Sequence, residues 1–136
     1  MYFEQKLERV KIGNKEFPIK LDMFVLEKIQ KVYGNINTFE LLVKGLSEKV
    51  DESGKKTYVY TEPSIEAMNM VLPEMVYEGC DIEGVDIELS EKDIIRNVKC
   101  SYLELQQIII KEFNKCFETE KKESPNNRQT KKNQNR

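Results

Sequence analysis

The chain contains no histidine. That removes the side chain that most often moves protons in catalysis. Cysteine is scarce, with only Cys80, Cys100 and Cys116. They form no Cys-x-x-Cys pair, so zinc lacks both of its usual ligand patterns. An odd, widely spaced set of thiols fits a reducing compartment and structural roles. Neither a Gly-x-x-x-x-Gly-Lys-Ser/Thr phosphate loop nor a Gly-x-Gly-x-x-Gly dinucleotide fingerprint occurs. No apolar run approaches the roughly 20 residues of a membrane helix, and there is no secretory signal pattern. Serines are few, and Ser64 and Ser90 fit helix starts better than nucleophiles. Together these absences point away from an enzyme, a cofactor or a metal site.

What is present fits one small domain. The 136 residues are 39% hydrophobic and 34% charged, and a body of this size buries roughly two thirds of its unfolded surface. Net charge is −2, so no global field draws the chain to nucleic acid or an anionic membrane. The charge is uneven: residues 118–136 carry six basic and three acidic side chains, a net +3, which leaves −5 for residues 1–117.

The first ordered element is a hairpin. Val10-Lys11-Ile12 enters a Gly13-Asn14-Lys15-Glu16 turn and leaves as Phe17-Pro18-Ile19-Lys20-Leu21, with apolar residues alternating onto one face. Pro18 cannot donate to a ladder and is expected on an exposed edge. Asp22 is a good N-cap for a helix that buries Val25, Leu26, Ile29, Val32 and Tyr33 and stops at Gly34. A short helix follows, with Asn37 and Glu40 as a capping-box-like pair. Its residues Phe39, Leu41, Leu42, Val43 and Leu46 are apolar nearly all round.

Residues 47–62 read as a polar surface loop around Asp51-Glu52-Ser53-Gly54, or as a second small hairpin in which Thr57-Tyr58-Val59-Tyr60 pairs near Lys49-Val50. Pro63 suits a first helical turn. Ile65, Met68, Val71, Leu72, Met75 and Val76 then fall within about 140° of one helix. Met70 and Tyr77 lie off that face. Pro73 predicts a kink or break, Gly79 a stop, and Cys80 to Leu89 an acidic connector bent at Gly84. Ser90 with Asp93 opens a helix whose apolar side is Ile94, Ile95 and Val98. The last helix runs from about Ser101 to Phe117, and its apolar arc of roughly 220° is about twice what one packing face needs. Leu105 and Ile108 lie at the margin of that arc.

Asp81, Glu83, Asp86, Glu88 and Glu91 do not match a calcium loop: counting from Asp81 puts Asp86 and Lys92 where the sixth-position Gly and twelfth-position Glu belong. From Thr119 onward no residue is hydrophobic, so residues 119–136 read as a disordered basic tail. That tail lacks the aromatic side chains of a single-strand stacking platform, which makes nucleic acid an unexpected partner.

The order of hairpin, helix ending Tyr-Gly, short helix, polar loop, helix, acidic connector and long last helix resembles the tail assembly chaperones of long-tailed bacteriophages and prophages. The resemblance rests on Lys11-Ile12-Gly13-Asn14-Lys15-Glu16-Phe17-Pro18-Ile19-Lys20-Leu21-Asp22, on Leu26, Ile29, Tyr33 and Gly34, on Ser90-Glu91-Lys92-Asp93-Ile94-Ile95, and on Tyr102 to Phe117. It implies a non-catalytic protein of the host cytoplasm. Such a protein coats the tape measure protein, gives way to tail tube protein, and is absent from the mature virion. It also implies a longer form made by ribosomal frameshifting near the gene's end. Two other readings are a small nucleic-acid-binding regulatory protein acting through the basic tail, and a structural head-tail connector subunit.

The expected fold class is α+β, mainly α, with an N-terminal β-hairpin, four to five helices over residues 1–118, and the disordered tail. Contact surface for a client, or for a homo-oligomer, is expected from Leu105 and Ile108 on the last helix. Phe39 and Leu42 on the short helix are expected to contribute, together with Met70 and Tyr77 on the methionine-rich one, methionine being adaptable at interfaces.

Overall fold

Alternating apolar residues close the first hairpin. In the computed structural model, which describes residues 6–118, β1 (Arg9–Ile12) pairs antiparallel with β2 (Lys15–Pro18). The two-residue turn needs a left-handed backbone, and Gly13 supplies it with φ 65°. Val10, Ile12 and Phe17 go to the core.

Pro18 is buried, not exposed at an edge. The register explains why. Hydrogen-bonded and non-bonded pairs alternate away from the turn, so Pro18, opposite Arg9, falls at a position that needs no donor. The ladder resumes one residue on, where the Ile19 N–H donates to the Glu8 carbonyl at 2.9 Å. The other edge of β1 is covered by residues near position 98. Gly13 N–H donates to the Asn97 carbonyl at 2.9 Å, Lys99 N–H donates to the Lys11 carbonyl at 2.8 Å, and Ile12 bridges Val98.

Asp22 caps α1 (Met23–Tyr33), its carboxylate accepting from the Phe24 and Val25 N–H groups at 3.1 and 3.3 Å. Val25, Leu26 and Ile29 are buried, whereas Val32 is exposed. Gly34 ends the helix. The cap of α2 (Ile36–Lys44) is Asn35 and not Asn37: the Asn35 side chain accepts from Thr38 N–H at 2.7 Å. The helix restarts as soon as Gly34 has turned the chain, so Asn37 already lies in its first turn.

Residues 46–60 form the second hairpin, β3 (Leu46–Val50) against β4 (Lys56–Tyr60). All of β4 is exposed.

The central element is α3 (Ile65–Glu83), which packs on β2, on α1 and α2, and on α4 (Glu91–Asn97) and α5 (Tyr102–Lys115). Pro63 precedes its cap, Ser64, and Ile65 is 57% exposed rather than core. The helix continues through Pro73. A mid-helix proline costs about 3 kcal/mol, and a single buried large apolar side chain returns about 1.5–3 kcal/mol. Met68, Val71, Leu72, Met75 and Val76, all at most 1% exposed, outweigh it. Gly79 does not stop the helix; the left-handed Gly84 does, so the connector is shorter than Cys80 to Leu89.

Ser90 caps α4 through Asp93 N–H, and Ser101 with Glu104 makes a capping box for α5. The wide apolar arc of α5 is partly accounted for by its neighbours, since it packs against both α2 and α3. The fold is α+β and mainly helical, with two hairpins and five helices among the described residues. The tail expected to be disordered lies outside them.

Candidate functional site

The six side chains singled out for partner contact separate into two sets. Phe39 and Leu105 are core, 1% and 7% exposed. Phe39 stacks between Tyr33 and Phe113, at 5.8 Å from each ring. Neither offers surface in this fold, because α2 and α5 face each other and bury those positions. Leu42, Met70, Tyr77 and Ile108 are half-buried at the margin of the core. Tyr77 is already engaged: its hydroxyl donates to the Leu89 carbonyl at 2.8 Å and ties the connector to α3.

Exposed apolar side chains stand at the start of α1, where Met23 and Phe24 are exposed, and around the start of α5. Leu103 is 55% exposed. With Cys100 and Ile108 it walls an open groove of about 450 Å³ that Ser101, Glu104 and Gln107 complete. Tyr102 anchors the α5 N-terminus through a hydrogen bond from its hydroxyl to the Pro63 carbonyl. Its phenol is pushed above the ordinary range by desolvation, then by Glu62 and Tyr60. Those causes place the base of β4 beside the α5 N-terminus. Ile65, just past Pro63, and Tyr58, Val59 and Tyr60 on β4 extend the exposed apolar ground.

Gln106 was not identifiable as a functional residue from its spacing. Its side-chain amide donates to the Val43 carbonyl at 3.0 Å, inside the protein. Carbonyls in the last turn of a helix have no intrahelical partner, so α5 caps α2. At the C-terminal end of α5, Cys116 Sγ donates to the Leu21 carbonyl at 3.1 Å, and buried Glu112 pairs with Lys115 at 2.9 Å.

A second cavity, about 490 Å³, lies between the first hairpin and the connector. Ile12, Phe17, Ile87 and Leu89 line it, with Lys15, Asp86 and Glu88. Lys15 is held over the Phe17 ring at 5.5 Å. No acid, base and nucleophile converge there.

No protein family profile, curated protein or solved structure matches the chain.

Burial pushes all three thiols up, Cys80, Cys100 and Cys116 alike, the opposite of what an activated nucleophile needs. No group of three or more Cys, Asp and Glu is placed to hold a metal ion among the described residues. The acidic cluster at Asp81 to Glu91 is divided between the end of α3, the connector and α4. Arg9 occupies Glu83 in a two-pronged pair, both bonds 3.0 Å. No described helix is long and apolar enough to cross a membrane.

Proposed function

We propose that this protein is a non-catalytic tail assembly chaperone of a long-tailed phage or prophage. In this reading it binds the tape measure protein in the host cytoplasm and yields it to tail tube protein as the tube grows. The observation that carries the reading is the apolar groove at the start of α5. Leu103 and Ile108 present adaptable apolar surface there, with exposed Tyr102 and Ile65 beside it. A client that must be held soluble and later released calls for such a surface, rimmed by polar groups such as Glu104 and Gln107. A deep pocket would suit a small ligand instead. The sequence resemblance, on the hairpin, the α1 boundary and the last two helices, supplies the identity of the client.

The direct test is co-expression with the tape measure protein encoded beside it. The reading expects that client to move from the insoluble to the soluble fraction and to co-purify with this chain. A client that stays insoluble, or is soluble alone, overturns it. So does finding this chain as a stoichiometric component of purified virions, which would indicate a connector subunit.

A further inference from the structure

The β3–β4 hairpin is the least covered part of the described chain. β4 has β3 on one side and, among the described residues, no strand on the other. All five of its residues are exposed, Tyr58 by 52% and Tyr60 by 66%. An isolated two-stranded hairpin is marginal in water, and free edges are normally guarded by a proline, a bulge, shortness or charge, lysine above all. β4 contains no proline, its one charged residue, Lys56, stands at its start, and its register runs unbroken from the Leu46–Tyr60 pair to the Val50–Lys56 pair.

The hydrogen bonds show what that edge presents. Asp51 N–H donates to the Lys55 carbonyl, and Thr61 N–H donates to the Gly45 carbonyl. By the alternation of an antiparallel ladder, the odd-numbered residues of β4 turn their backbone groups toward β3. Lys56, Tyr58 and Tyr60 therefore turn theirs outward, and their side chains share one face.

We infer that β4 pairs antiparallel with β4 of a second copy of this chain, on a two-fold axis through Tyr58. In that register Tyr58 faces Tyr58, and Lys56 faces Tyr60, each pair exchanging both of its outward backbone hydrogen bonds. The charges agree with it. No like charges stand opposite each other, and Lys56 lies diagonal to Glu62 of the partner subunit, within reach of a cross-strand ion pair. Lys56 already leans to that face, 3.6 Å from Glu48. The product is a four-stranded sheet with Tyr58, Tyr60 and Leu46 of both copies on one face, past the size at which a sheet holds together. This pairing does not rest on the chaperone reading, since the α5 groove lies outside it.

The full chain tests it by light scattering and sedimentation across a concentration series. Wild type is expected to reach twice the 16.0 kDa of one chain. Tyr58→Pro removes an outward donor and leaves the bonds to β3, so it should return the mass to that of one chain with an unchanged helical spectrum. Tyr58→Lys puts two cations on the axis and should do the same without any backbone change. Tyr58→Cys, in a Cys100→Ser, Cys116→Ser background, should oxidise to a symmetric disulfide-linked dimer, because a hydrogen-bonded pair has its Cα atoms about 5.5 Å apart, inside disulfide range. Val59→Cys should cross-link far less. A wild type that stays monomeric, as it would if the edge served an extended segment of another protein, overturns the inference. So does a dimer that survives both Tyr58→Pro and Tyr58→Lys.

Discussion

The carbonyl oxygen of Pro18 sits 2.3 Å from the point a Cβ on Gly79 would occupy. The chain after β2 lies directly against the α3 backbone, and the Lys20 N–H donates to the Met75 carbonyl at 3.0 Å. Gly79 is a contact point between hairpin and helix. Gly79→Ala should therefore destabilise the protein, although alanine in a helix interior normally gains about 0.5–1 kcal/mol over glycine. The obstructing atom is backbone and cannot swing away, so a net loss of about 1–3 kcal/mol is expected. Urea denaturation reads it directly, and a raised midpoint would refute the close packing.

Gln106 holds the C-terminal turn of α2 from across the core. Gln106→Ala should leave the Val43 carbonyl buried without a donor, at about 1–3 kcal/mol. Gln106→Glu should be at least as damaging, since a carboxylate cannot donate to a carbonyl. Comparable melting temperatures for wild type and both variants would show that the bond is not formed in solution.

Stability should fall as pH rises from about 5 to 8. The Glu78 carboxyl is pushed from 4.5 up to about 7, first by a hydrogen bond with Asp22, then by desolvation and by the charges of Asp22 and Asp81, with Lys28 opposing. The folded chain thus keeps a proton that the unfolded chain has already lost, so this contribution is complete below pH 4.5 and gone above about 7. Asp51 and Glu83, whose pKa values are lowered, act in the opposite sense but at more acid pH. Chemical denaturation at pH 5, 6, 7 and 8 checks the slope. Glu78→Gln should flatten it while Asp22 continues to cap α1.

Neighbouring leucines on α5 should behave in opposite ways. Leu103→Asp changes an exposed side chain in the first helical turn, where a negative charge is favoured. It should shift stability by no more than about 0.5 kcal/mol and still abolish client solubilisation in the co-expression assay. Leu105→Asp places a charge in the core. It should cost at least the roughly 2–5 kcal/mol of a buried leucine truncation, seen as loss of the cooperative melt. If Leu103→Asp solubilises the client as well as wild type does, the groove is not the contact surface.

How legible the fold was depended on whether the deciding interaction is local. Asp22, Gly34 and Ser90 announce helix ends because each cap is satisfied within four residues. The first hairpin is set by alternation and a glycine turn. Pro73 does not break α3 and Gly79 does not end it, because the burial of α3 and its contact with Pro18 override those local preferences. Phe39 and Leu105 read as contact surface in the sequence because periodicity gives the width of an apolar arc but not the number of neighbours, and α5 has two. Gln106, Tyr77 and Tyr102 reach backbone acceptors on other elements, 63, 12 and 39 residues away. No spacing rule along the chain signals such bonds.

The stitch between β1 and residues 97–99 has a consequence for synthesis. A growing chain makes the hairpin first, yet the carbonyl of Asn97 and the N–H of Lys99 leave the ribosome only near the end of the described fold. Until then the outer edge of β1 stays open, with the Lys11 carbonyl and the Gly13 N–H unpaired. Joining elements so far apart in sequence is slow, because the loop must close before the contact forms. The exposed strand edge of such a nascent chain is where premature pairing with neighbours begins. Emergence of Lys99 thus closes the β1 edge from within the chain, whereas the β4 edge waits for a second copy.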